Sequence, residues 1–138
     1  MPEVVRLSFS LEKPLLAALE RLTRLSRRAN RSEFIRDLIR DRLVRQEWAN
    51  NEEAVGTITL IYDHHSRRLS EKLTQLQHDH CQEILAATHI HLDEHRCAEM
   101  IMVRGRAGQI RRIAELLGQQ KGALHSALSL SSTGRKLS

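Results

Sequence analysis

The feature that most narrows the fold is a strand with nothing to pair with. Val5, Leu7, Phe9 and Leu11 alternate with Arg6, Ser8 and Ser10, a period of two that predicts a short strand with one apolar and one polar face. Two helical patterns follow it before any other strand. Leu15, Leu16, Leu19, Leu22 and Leu25 recur at amphipathic-helix spacing, with Pro14 in the first turn, where it is tolerated. Asn30 precedes Glu33 by three residues, a capping-box spacing that starts a second helix through Phe34, Ile35, Leu38, Ile39 and Leu43 to about Gln46. A lone strand exposes unpaired backbone on both edges. The simplest rescue is the same strand of a second chain, giving a two-stranded ribbon backed by four helices. The first module is therefore expected to be an obligate dimer.

After a linker at 48–54, rich in Asn and Glu and read as a hinge, the pattern changes to strand, helix, strand, strand, helix, strand. Strands are expected at Ala54–Tyr62, Ile84–Leu92, Cys97–Arg104 and Ala123–Leu130. Helices are expected at Ser66–Gln82 and from the Gly105–Gly108 turn to Leu117. This β-α-β-β-α-β order is ferredoxin-like, so the chain is α+β. The expected division is 1–47, linker 48–54, 55–131, and a frayed Ser/Gly/basic tail at 132–138.

Charge separates the two modules. Of the formal +5, residues 1–50 carry +4 and the remainder +1. No apolar run approaches the roughly 18 residues of a membrane span, and Met1-Pro2-Glu3 is not a secretory leader. A cytoplasmic protein with no membrane partner is expected. Aromatic residues are 3% of the chain, which disfavours recognition by base stacking. The paired ribbon suits the DNA major groove, where Arg6 reads guanine edges and Ser8 and Ser10 read bases less strictly. Arg31 and Ser32 open the second helix, whose free N–H groups suit a phosphate. A solvated polar face explains the same pattern about as well on spacing alone. The segment Asn30-Arg31-Ser32-Glu33-Phe34-Ile35-Arg36 closely resembles the ribbon-helix-helix repressors, over residues 4–46.

Six of the 8 histidines lie between Asp63 and Leu92. His89 and His91 project from one face of a strand, and Cys97 lies on the next strand of an apparent hairpin. Cys97 shares that face only if the loop is odd, as with Asp93–His95; a two-residue loop sends it to the opposite face. His78 and His80 diverge on a helix, so one of them is the expected fourth ligand. Three imidazoles and a thiolate suit Zn, Cu(II) or Ni(II). His64, His65, His95 and His125 are read as ordinary surface residues; a weaker His64–His65 site is not favoured. The thiols Cys81 and Cys97 are too few for a disulfide scaffold.

Together the marks Arg6-x-Ser8-x-Ser10, Asn30-Arg31-Ser32-Glu33 with Asp37, Tyr62-Asp63-His64, Gln77-His78, His89-x-His91, Cys97 and Glu99 resemble the nickel-responsive repressors of the NikR family, across nearly the whole chain. The resemblance implies one square-planar Ni(II) per chain on His89, His91 and Cys97, with His78 from a neighbouring chain. It implies a homotetramer, a dimer of dimers with ACT-like modules at its centre. Arg6, Ser8 and Ser10 would read double-stranded operator DNA, and Arg67 and Arg68 would touch its backbone. Glu33 and Asp37 would hold a second cation, K⁺, at the junction of the modules, with Tyr62 and Glu99 behind the nickel ligands. The target would be the operator of nickel-uptake genes, with no small organic substrate. The readings set against it are the same architecture sensing Cu or Zn, an amino-acid-sensing ACT regulator, and a metal hydrolase, which lacks a convincing general base.

Overall fold

The computed structural model describes residues 2–66 and 68–138. The chain forms two compact units, residues up to 43 with 134–138, and residues 44–133.

In the first unit, α1 (Lys13–Leu25) and α2 (Arg31–Ala49) lie where the leucine spacing and the Asn30 cap place them. Asn30 Oδ1 accepts the Glu33 backbone N–H at 3.0 Å. The Glu33 carboxylate in turn accepts the Ala29 N–H at 3.3 Å. The predicted first strand does not form in the single chain: residues 2–12 carry no ladder and are exposed, Leu7 to 86%. The physical reason is the one that made the segment conspicuous, for a strand needs a partner and this chain supplies none. Leu15, Leu22, Leu25, Leu38 and Ile39 are also exposed. That is a large apolar surface for so small a unit.

The second unit builds one antiparallel sheet. Its strands are β1 (Glu53–Asp63), β2 (Ile84–His91), β3 (Arg96–Arg106) and β4 (Ala123–Leu130), in the order β2-β3-β1-β4. Helices α3 (Leu69–Asp79) and α4 (Ala107–Gly118) complete the ferredoxin-like arrangement. Alternate residues of β1 are buried, and Ile58, Leu60 and Tyr62 meet Cys97, Ile101 and Val103 of β3 on one face. Leu69 and Leu73 of α3 and Ile110, Ile113 and Leu117 of α4 close over them. The opposite face bears Ile90, Met100 and Met102, all about half exposed.

The segment read as a hinge is instead built into this unit. Trp48 is 3% exposed, donates Nε1–H to the Ser131 carbonyl at 2.8 Å, and lies under the Arg111 guanidinium. Asn51, in the left-handed region at φ 53, caps α4 by accepting the Gly108 N–H at 2.7 Å. Helix α2 accordingly runs three residues past the expected Gln46. The expected 66–82 helix is shorter at both ends.

Gly122 holds the loop that leaves β1. Its carbonyl accepts the Asp63 N–H at 3.1 Å, and its φ is +98. A Cβ there would collide with the Ser66 side chain and lie 3.0 Å from Leu69. Gly122→Ala therefore combines backbone strain with a clash, and is expected to cost about 1–3 kcal/mol in a urea melt. An unchanged midpoint would show that the loop relaxes freely.

Candidate metal centre

The centre rests on the turn between β2 and β3. Asp93 Oδ1 accepts the backbone N–H of His95 at 2.9 Å and of Arg96 at 2.7 Å. Its Oδ2 binds the Arg96 guanidinium, with Nε at 2.8 Å. These bonds close an odd loop, Asp93–His95, with Leu92 N–H donating to the Arg96 carbonyl at 2.9 Å. The register is then His91 opposite Cys97 and His89 opposite Glu99, so all four share a face. The irregularity in this ladder lies between Ile84 and Ala86, at the far end.

Strand β3 also pairs with β1, and there Cys97 stands opposite Tyr62. His64 lies just beyond the end of β1. Its Nδ1 is 3.4 Å from Cys97 Sγ, and His91 Nδ1 is 3.3 Å from the same sulfur. Donor atoms of His64, His91 and Cys97 lie within 4.8 Å of one another, the one such cluster among the described residues. His64 was read from the sequence as an ordinary surface residue, yet it is the imidazole placed here beside Cys97 and His91. His89 stands farther along, its ring centroid 5.0 Å from that of His91. Its Nδ1 shares a hydrogen bond of 2.9 Å with the Tyr62 hydroxyl, which leaves Nε2 as its other ligating atom.

His78 lies apart from this cluster, in the last turn of α3 and exposed. Its neighbour Gln77 donates to Glu99 Oε1 at 3.1 Å, so Gln77 faces the sheet. One residue on, a helix has rotated by about 100°, which turns His78 from that floor. His80 ends the helix, and Cys81 is exposed just after it.

Burial raises the Cys97 thiol above its ordinary range, and the negative charges of Asp93 and Glu99 add to this. Tyr62 is pushed up to about 12, first by burial and then by Glu99 and Cys97, so it stays a neutral hydroxyl near neutral pH. Two imidazoles and a thiol converging at this distance fit a borderline-soft divalent ion, which binds the thiolate and releases its proton.

The residues expected to meet DNA belong to the first unit. Arg6, Ser8 and Ser10 are exposed, as are Arg31 and Ser32 at the start of α2. Ser8, Arg31 and Ser32 border one groove of about 370 Å³ floored by Phe9, Leu16 and Ile35. Asp37 pairs with Arg28 at 2.6 Å and Arg40 at 3.7 Å. In the second unit Arg67 lies outside the described residues, and Arg68 is exposed with φ 63 at the start of α3.

Residues 55–131 match the profile of a family described as the NikR C terminal nickel binding domain, and residues 5–46 match that of ribbon-helix-helix proteins of the copG family. A protein of Geobacter metallireducens named "Putative nickel-responsive regulator" is 46% identical over 138 residues, covering 99% of both chains. One of Pyrococcus abyssi with the same name is 43% identical over 136 residues, covering 98% of this chain and 99% of that one. An uncharacterised Thermotoga maritima protein of known structure shares the fold, with a TM-score of 0.52 at 15% identity, over 57% of this chain and 98% of its own.

The Arg96 guanidinium and the two backbone donors of the turn hold the Asp93 carboxyl down at about 2. A carboxyl depressed on folding adds stability that is present above its ordinary value and lost as pH falls towards the lowered one. The movement of the Arg96 amide signal that follows Asp93 should therefore lie below about pH 4, towards pH 2. Movement complete by pH 4 would show that the turn is not held this way. Asp93→Ala should weaken binding of Ni(II) by roughly tenfold or more through loss of the register.

Proposed function

The chain belongs to the NikR family, a family of ribbon-helix-helix regulators rather than enzymes, and on that premise we propose that it is a nickel-sensing repressor. It binds the operator of nickel-uptake genes when Ni(II) is bound. The observation that carries this is the convergence of His91 and Cys97 across an odd hairpin, with a second imidazole, that of His64, within 4.8 Å. A sensor site of that kind in a chain with a basic N-terminal module joins a metal signal to a DNA output.

The proposed donors are His89, His91 and Cys97 of one chain and His78 of a neighbouring chain, one Ni(II) for each chain. Three features support this set. His89 is held by Tyr62 through Nδ1 with Nε2 left to ligate. His91 is already at Cys97. His78 is exposed on a helix whose previous residue grips the sheet. These donors would hold the nickel, whose bonds would tie them into one arrangement. The chain's own link from that arrangement to α3 is Gln77 on Glu99, and at the other end of α3 stands Arg68, proposed with Arg67, which is outside the described residues, to touch the DNA backbone.

The proposed assembly is a homotetramer in the cytoplasm. Arg6, Ser8 and Ser10 enter the major groove as a paired ribbon, which also covers the exposed leucines of the first unit. Two ribbons on one operator gain effective concentration, worth roughly 10²–10⁴ in affinity without new base contacts. Glu33 and Asp37 are proposed for the K⁺ site. With Asp37 already on Arg28, that ion enters by exchange with the guanidinium. No helix among the described residues is long and apolar enough to cross a membrane.

Duplexes selected from a random pool by the nickel-loaded protein provide the assay. Cys97→Ala should abolish nickel-dependent binding to them while leaving the far-ultraviolet circular dichroism unchanged. If that variant still responds to nickel, Cys97 is not a ligand and the sensor lies elsewhere. His78→Ala should also fail alone. Oligomers mixed from His78→Ala and Cys97→Ala chains should recover part of the nickel absorption, because some sites then draw both ligands from different chains. No recovery would place His78 and Cys97 in the same chain's site.

A further inference from the structure

Two loops at one end of the sheet, both in the second unit, are built alike. Asp63 Oδ1 accepts the His65 N–H at 2.9 Å, and Asp93 Oδ1 accepts the His95 N–H at 2.9 Å. Each is an Asx turn, in which a carboxylate fixes the backbone two residues on, and each sets a histidine at that position. The loops are then laced together. The His64 N–H donates to the His95 carbonyl at 2.6 Å, and His65 Nε2 donates to the Glu94 carbonyl at 2.9 Å. A carbonyl only accepts, so in the neutral His65 ring Nε2 carries the hydrogen and Nδ1 the lone pair.

The lacing lines up imidazoles. Centroid to centroid, the ring of His95 lies 5.2 Å from that of His65, and His65 lies 5.2 Å from His64. His64 lies 4.9 Å from His91, and His91 5.0 Å from His89. Five of the 8 histidines thus make one unbroken row. All five are exposed, whereas Cys97 is fully buried, with His64 and His91 against its sulfur. Two imidazoles that share one ion, each nitrogen about 2.0–2.1 Å from it, have centroids roughly 5 Å apart. The row keeps that spacing at every step. The proposed nickel ligands use only its inner end, and leave His65 and His95 without a task.

We infer that His95, His65 and His64 form an intake row that captures a divalent ion at the surface and passes it to His91 and Cys97. At the outer pair two nitrogen lone pairs replace two waters of the ion. Each inward move forms one metal–nitrogen bond as another breaks, with no change of oxidation state. On arrival the Cys97 thiol gives its proton to water and binds as the thiolate. Every transfer is intramolecular, so the next donor acts at high effective concentration. The inference rests on the nickel reading for the ion's destination alone.

His65→Gln keeps an N–H donor for the Glu94 carbonyl, and His95→Phe keeps a ring beside residue 65, while each removes the imidazole. The test is stopped-flow mixing of metal-free, full-length protein with Ni(II), followed by the thiolate–nickel absorption, and release of the bound ion into excess EDTA. A route serves both directions, so in the double variant capture and release should both slow by about tenfold, with Kd and the absorption spectrum unchanged. His125→Gln removes an exposed histidine off the row, and should alter neither rate. Unchanged rates in the double variant would overturn the row, as would equal slowing in His125→Gln. Weaker affinity or an altered spectrum would also overturn it, by making His65 or His95 a ligand of the final centre. The absorption of the unaltered chain tests the nickel centre by itself, so failure of that centre and failure of the row are read separately.

Discussion

The metal centre depends on one parity. In an antiparallel pair, His91 and Cys97 face each other only if the residues between them form an odd loop; a slip of one sends the sulfur to the other face. Asp93 enforces the odd count by taking two backbone N–H groups and an arginine at once. The position of Cys97 in the sheet then multiplies its contacts. It lies on β3, between two strands, so it meets His91 from β2 on one side and Tyr62 from β1 on the other, with His64 just beyond. The same residue on an edge strand would have had one neighbour.

That position also explains what could and could not be read from the chain. The hairpin was legible, because its parity is local: seven consecutive residues contain both the loop and its test. His64 was not, because it reaches Cys97 through sheet order, which is a property of the whole fold. The signal was nonetheless present. A β-α-β-β-α-β chain of ferredoxin-like topology sets its first strand beside its third, and Tyr62 opposite Cys97 then carries His64 to the same end. The first strand shows the converse limit. Its alternation is plain in Arg6 to Leu11, but a ladder is a relation between two strands, and this chain provides one. The presumed hinge erred differently. Asn50, Asn51 and Glu52 have loop chemistry, yet the chain's single Trp just before them is buried in the core, and Asn51 is a helix cap rather than slack.

The two units solve the problem of a small core in opposite ways. Residues 44–133 close a sheet under two helices and bury Ile58, Leu60, Ile101, Ile110 and Ile113 completely or nearly so. The first unit buries Phe34 and leaves five leucines and isoleucines of its helices in solvent. The second unit can therefore stand as a folded body, while the first is half of something, and association completes it. This asymmetry suits a regulator that works as an oligomer.

The last turn of α3 shows how one hydrogen bond can set the direction of the next side chain. Gln77 and His78 are adjacent, so their side chains leave the axis about 100° apart. Gln77 spends its amide on Glu99, which shares the sheet face with Cys97, and that bond fixes the rotation of the helix about its own axis. With the rotation fixed, His78 is held facing out at a set angle rather than swept through solvent. In the role proposed for His78, as a ligand offered to a neighbouring chain, that preorganisation counts, because a freely turning helix would lose entropy on every binding event. Under the proposed ligand set, the hydrogen bond inside one chain's site is in this way a condition for completing the next chain's site.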